Sequence, residues 1–185
     1  MHNDTSSNAG DVRNADEITR VKLRDGSAIQ LRPIRPDDIE REREFIEGLS
    51  PESRFHRFLS GNFHPSPALL ERLTDIDHRR DEAYVALAER DGKIMQIGVG
   101  RFFSDTDGKQ AEFAIAVADA WQRKGLATLL MQKLMQAATA RGIEKLYSVD
   151  AVENADMRDF AEHMGCARDA DPQDHTRVIH SLYVR

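Results

Sequence analysis

Two groups of residues in this chain have the types and spacing to do chemistry. The first is Gln122-Arg123-Lys124-Gly125-Leu126-Ala127, set between the alternating apolar segment Ala111 to Val117 and a stretch where Ala127, Leu130, Met131, Leu134, Ala137 and Ala138 recur at helical spacing. A small-residue loop at a helix start exposes backbone N–H groups that no helical carbonyl can satisfy. With the positive end of the helix dipole, they form a seat for a phosphate or pyrophosphate. The second is Glu112. Strand alternation puts Glu112, Ala114 and Ala116 on one face and Phe113, Ile115 and Val117 on the other. A carboxylate beside an apolar alanine face has its pKa raised toward the range of a working base. The competing reading is a structural ion pair with a nearby arginine such as Arg101.

The elements that must hold these groups can be read from turn and cap signals. Val21 to Arg24 and Ala28 to Leu31 flank Asp25-Gly26 and read as a hairpin. Helices are expected from Asp37-Asp38 to about Glu47, from Pro51 (capped by Ser50) to Phe58, and over Pro67 to Leu73. Tyr84 to Ala88 and Ile94 to Phe103 read as strands joined at Asp91-Gly92, and a second hairpin turn at Asp105 to Gly108 leads into the strand of Glu112. A long helix is expected from about Lys124 to Ala140, ending at Arg141-Gly142. Lys145 to Asp150 reads as a strand, Asn154 to Met164 as a helix, and Thr176 to Val184 as one or two more strands. Residues 1 to about 18 are polar and aperiodic and read as a flexible tail, leaving 19 to 185 as a single α/β domain.

Composition narrows the function classes. The chain has 185 residues, enough for one domain with a real core, and a net charge of −6, which argues against non-specific binding to nucleic acid. No apolar run is long enough to span a membrane, and no signal-peptide core is present. The single cysteine, Cys166, fits a reducing, cytoplasmic home and reads as a small buried side chain rather than a nucleophile. The scattered histidines form no zinc spacing, so no metal is expected. No Ser-His-Asp arrangement or kinase-like phosphate loop is present.

The order strand, Gln-x-x-Gly-x-Ala loop, long helix, strand, then an Asn-initiated helix ending in Met164-Gly165 resembles the GCN5-related N-acetyltransferase superfamily. Leu31 to Asp38, Leu49 to Phe55 and Ala111 to Ala114 are similar in particular to the catalytic domain of bacterial Pat-type protein lysine acetyltransferases. The resemblance implies a mixed, mostly antiparallel central sheet of six to seven strands flanked by helices. It implies acetyl-CoA, or another short acyl-CoA, as co-substrate, with the pyrophosphate held by backbone amides from Arg123 to Thr128. It places the pantetheine arm against the backbone of Ile115 and Val117, which the family splays from the next strand. It also turns the Asn154 side chain toward the coenzyme, a position where a plain helix cap is the other reading.

In a transferase of this kind the acceptor amine must lose a proton. A free lysine has pKa about 10.4, so only about one in 10³ is neutral near pH 7. The resemblance makes Glu112 the general base of a direct transfer, with a protein lysine as acceptor; a small amine or amino acid is the alternative. It also exposes a departure. Many members carry a tyrosine in the last helix to protonate the leaving sulfur, and Ala161 falls at that position here. That leaves room for a third reading, a non-catalytic acetyl-CoA-binding module.

Overall fold

The computed structural model describes residues 18–60 and 63–184. The tail expected over 1 to 18 lies, apart from Ile18, outside the described residues. Eight strands form one sheet: β1 (Thr19–Lys22), β2 (Ala28–Pro33), β3 (Glu82–Arg90), β4 (Lys93–Ser104), β5 (Gln110–Val117), β6 (Lys145–Ala151), β7 (Ala167–Ala170) and β8 (Arg177–Tyr183). Their spatial order is β1-β2-β3-β4-β5-β6-β8-β7. The expected six to seven strands become eight because the short strands at the two edges, β1 and β7, both pair. The Ala-Arg-Asp-Ala sequence of β7 is exposed throughout and carries no alternation.

Five helices cover the sheet: α1 (Ile39–Gly48), α2 (Pro51–Phe58), α3 (Pro67–Thr74), α4 (Leu126–Ala140) and α5 (Ala155–His163). Residues of α1 and α3 pack on Val85, Val99 and Ala116, with Phe58 of α2 against the same cluster. On the other face, α4 packs on Phe102, Phe113 and Leu146, with Met157 and Phe160 of α5 alongside. Helix α4 approaches β4 closely where β4 has glycine: a Cβ at Gly98 would lie 3.1 Å from a Leu126 methyl, and one at Gly100 would lie 3.2 Å from the Leu130 Cβ. Those two glycines let the backbone of the loop-bearing helix sit near the sheet.

Buried ion pairs fix the N-terminal helices. Asp38 is fully buried and accepts two bonds of 2.6 Å from Arg32, one of 2.8 Å from Arg41, and one of 2.9 Å from the Arg35 N–H. Arg101, also buried, donates to Glu42 on α1 and to the Leu73 carbonyl, and Gln96 donates to the same Glu42. Glu82, at the start of β3, is buried. It takes Arg141 and His78 as partners, each at 2.6 Å.

All neighbouring strands run antiparallel except β5 and β6. That parallel pair persists for three residue pairs only, Gln110 with Lys145, Ala111 with Leu146 and Glu112 with Tyr147, and then the strands part.

Candidate active site

The parting of β5 from β6 opens a cleft of about 620 Å³. Its walls come from the second half of β5, the 122–128 loop, the end of β6, α2 and α5. Strand pairing shows which backbone groups face it. Ala118 donates its N–H to Ile97 of β4. By alternation, the backbone groups of Val117 and Ile115 turn the other way, into the splay. The Gln122 amide donates to the Val117 carbonyl at 3.2 Å and to the Ser53 hydroxyl at 3.2 Å, so this side chain ties the loop to β5 and α2.

The loop starts α4 without a side-chain cap. Gly125 is the cap residue at φ +89°, and Arg123 before it lies at φ +60°. These left-handed residues cannot belong to a right-handed helix, so α4 begins at Leu126 rather than near Lys124. Leu129 is the first residue bonded back, to Gly125 at 3.1 Å. The N–H groups of Leu126, Ala127 and Thr128 therefore have no intrahelical carbonyl. In α2, α3 and α5, by contrast, Ser50, Ser66 and Asn154 accept such a bond. Asn154 lines the cleft, yet its Oδ1 accepts the Met157 N–H at 3.0 Å, which makes it a helix cap. Arg123 and Lys124 are each engaged by carboxylates: Arg123 with Asp156 at 2.8 Å, Lys124 with Asp25 at 2.9 Å. Lys124 also sits 5.0 Å from the centroid of the Trp121 ring. The Lys124 ammonium holds the Asp25 carboxyl down at about 2.

Glu112 stands in the same cleft, at the last paired residue before the strands part. It is open to solvent on the cleft side, but the enclosing walls push its pKa up. Asp105 and Asp150 push the same way, and Arg57 opposes them. The alternative partner, Arg101, is committed to Glu42, and no ion pair to Glu112 occurs among the described residues. The phenol of Tyr147, paired with Glu112 across the sheet, donates to Asp105 at 3.1 Å and is pushed up to about 12 by burial and that carboxylate. It is no acid near neutral pH.

Sequence reasoning missed three features. Ala161 is buried under α5, and its neighbour Phe160 is among the residues of that helix that line the cleft; a one-residue phase difference separates them, finer than helical periodicity can fix. His163 is exposed and stands on the cleft rim. Asp150 joins the cleft from β6, accepting from Ser148 at 2.6 Å and contacting His180 Nδ1 at 3.0 Å. Cys166 is raised above its ordinary range by burial, as a packed thiol should be. Among the described residues no cluster of metal-binding side chains forms, and no helix is long and apolar enough to cross a membrane.

The comparisons with known proteins agree with this geometry. Residues 45–166 match the profile of the acetyltransferase (GNAT) family. The acetyltransferase PA5475 of Pseudomonas aeruginosa is 42% identical over 160 residues, covering 86% of both chains. The acetyltransferase Pat of Mycolicibacterium smegmatis is 30% identical over 146 residues, which are 78% of this chain but 43% of that longer protein. Among solved structures, the GNAT domain of S. lividans Pat superposes with a TM-score of 0.81 at 26% identity, over 90% of this chain and 97% of that one. A cAMP-binding acyltransferase from Mycobacterium smegmatis matches with a TM-score of 0.64 at 25% identity, over 91% of this chain and 48% of its own. The splayed β5–β6 pair, the uncapped helix start and the matched profile have one account: the chain belongs to the GNAT family and is an acyl-CoA-dependent N-acetyltransferase.

Proposed function

We propose that this enzyme moves an acetyl group from acetyl-CoA to a protein lysine, with Glu112 as general base. The observation that carries the base assignment is the placement of Glu112: at the fork of β5 and β6, in the cleft, with a raised pKa and no ion-pair partner among the described residues. The lysine assignment rests on likeness to the Pat proteins.

The residues present suit the donor. The N–H groups of Leu126, Ala127 and Thr128, left without an intrahelical carbonyl, suit a pyrophosphate at the start of α4, and Gly125 keeps the approach clear of a Cβ. Gln122 acts as a brace between loop and strand rather than as a ligand. The N–H groups of Ile115 and Val117 face the splay, where they can pair with the pantetheine amides as a neighbouring strand would; one of them can polarise the thioester carbonyl. Acetyl-CoA supplies an activated acyl group whose C–S bond breaks as the C–N bond to the acceptor forms. Glu112 takes the proton released by the amine, through a water where the two do not touch. With Phe160 rather than a tyrosine on the cleft, no phenolic acid from α5 serves the sulfur. A thiol of pKa about 8.5 leaves acceptably as thiolate.

The test is turnover of lysine-containing protein by intact mass, with acetyl-CoA binding followed by calorimetry in parallel. Glu112→Gln should bind acetyl-CoA and lose turnover. Acetylation confined to free amines would replace the lysine by a small acceptor, and binding without turnover on any amine would make the protein a cofactor-binding module.

A further inference from the structure

The α2 wall of the cleft holds a cation that the transfer chemistry leaves unused. Arg57 lies on α2, two residues before that helix ends in left-handed Leu59, and lines the cleft with Glu112. Its guanidinium sits 4.8 Å from the centroid of the Phe58 ring, and Phe58 is stacked on Phe63 with centroids 3.8 Å apart and planes 7° from parallel. The helix carrying it is fastened to the donor loop. Asp119 accepts from the Ser50 N–H at 3.0 Å and from the Ser50 and Ser53 hydroxyls at 2.8 Å each. Arg57 is thus held in a fixed place relative to the loop.

No hydrogen bond or ion pair to Arg57 forms among the described residues. The carboxylates around it act from a distance or are occupied. Glu42 is bonded to Arg101 and Gln96, and Asp150 to Ser148 and His180. Burial, helped by the repulsion of Arg101, pulls the Arg57 guanidinium down to about 10. Arg57 is only partly buried, and its guanidinium lines the cleft with no carboxylate of the described residues bonded to it. The open cleft is the direction from which an acceptor group can reach it.

We propose that Arg57 binds a carboxylate carried by the acceptor, so that Glu112 and Arg57 together select an amine with a carboxylate on a short tether. The inference rests on the acyl-transfer reading above. An acceptor with both charges complements the pair: the ammonium approaches Glu112, and the carboxylate meets the planar fork of Arg57, which can donate two parallel bonds. An amine with no anionic companion meets the repulsion of Arg57 uncompensated. The same chemistry has two sources, the carboxylate of a free amino acid or an acidic side chain beside a lysine.

The experiment is an acceptor panel measured as kcat/KM at saturating acetyl-CoA. It pairs free amino acids with their amides, and lysine peptides flanked by glutamate with the same peptides flanked by glutamine. The carboxylate-bearing member of at least one pair should be preferred about tenfold or more, as expected for a charge-assisted bond; which pair shows it identifies the source. Arg57→Gln should bring that ratio to near one, and Arg57→Lys should restore part of it. Equal use of both members by the unaltered enzyme, or a preference that survives Arg57→Gln, overturns the assignment; the first of these stands even if the variant does not fold. Acetyl-CoA binding with no turnover of any panel member overturns the transferase reading of the site instead.

Discussion

Arg101 and Glu112 project from the same face of the sheet, yet Arg101 is bonded to Glu42 on α1 and not to Glu112. The register pairs Arg101 with Ala114, the next residue on that face of β5. Glu42 therefore takes up the cation that would otherwise hold Glu112 ionised and inert. The Arg101–Glu42 pair and the unpaired Glu112 carboxylate are two sides of one charge arrangement.

Glu112→Gln should lower kcat by about 10²- to 10⁴-fold while leaving acetyl-CoA affinity near that of the parent. The pH profile supplies a second check. A general base works only when deprotonated, and the Glu112 pKa is raised, so on the proposed mechanism kcat/KM should fall on the acid side at a pH above the ordinary carboxylate range. The glutamine variant should lack that limb. An unchanged acid limb in the variant would assign it to another group.

Gly125→Ala places a side chain at φ +89°, where L-residues pay about 1–2 kcal/mol. The added Cβ would also come 3.4 Å from Arg24 Nε, across the loop. The expected outcome is a lower melting temperature and an acetyl-CoA affinity reduced several-fold, read by thermal melts and calorimetry. Full affinity would argue that the loop amides do not hold the donor.

Much of the local structure around the cleft is legible in the sequence. The loop is legible because a glycine beside a small residue and a helical repeat marks a helix that opens on a left-handed turn, and Ser50-Pro51 and Asp91-Gly92 carry their turn chemistry locally. What was illegible is set by tertiary partners. Glu82 is paired with His78 four residues away but also with Arg141, 59 residues away, which no local pattern states. Glu42 reaches Arg101 across the same distance, 59 residues. The recess of Arg57 depends on α2 folding over β5, which no local pattern states. The difference between Ala161 and Phe160 is one of helix phase, decided by how α5 settles on the sheet.

Asp38→Ala should destabilise the fold by about 3–5 kcal/mol, because it leaves the buried Arg32 without its acceptor. Arg32, Arg41 and the Arg35 N–H hold the Asp38 carboxyl below its ordinary range despite burial. Its contribution is therefore full above the unfolded-state pKa and is lost as pH falls through the depressed folded value. Urea melts of parent and variant should differ most at neutral pH and converge in acid.

His78 behaves with the opposite sign. Its bond to Glu82 raises its pKa, opposed by burial. The stabilisation is complete below the unfolded value of about 6.5 and fades as pH rises through the higher folded one. His78→Gln should flatten the pH dependence of the melting temperature in that window. A slope that persists in the variant would place the titrating group elsewhere.

Three rungs are all that join β5 to β6 directly, so the eight strands behave as two half-sheets sewn together at one end of a seam. Beyond Tyr147 the stitching has to come from outside the polypeptide. A donor lying in that gap would act as a ninth strand, and its occupancy would be felt as cohesion between the halves: amide exchange along Ile115–Val117 and Val149–Ala151 should slow, and the melting temperature should climb with each increment of ligand.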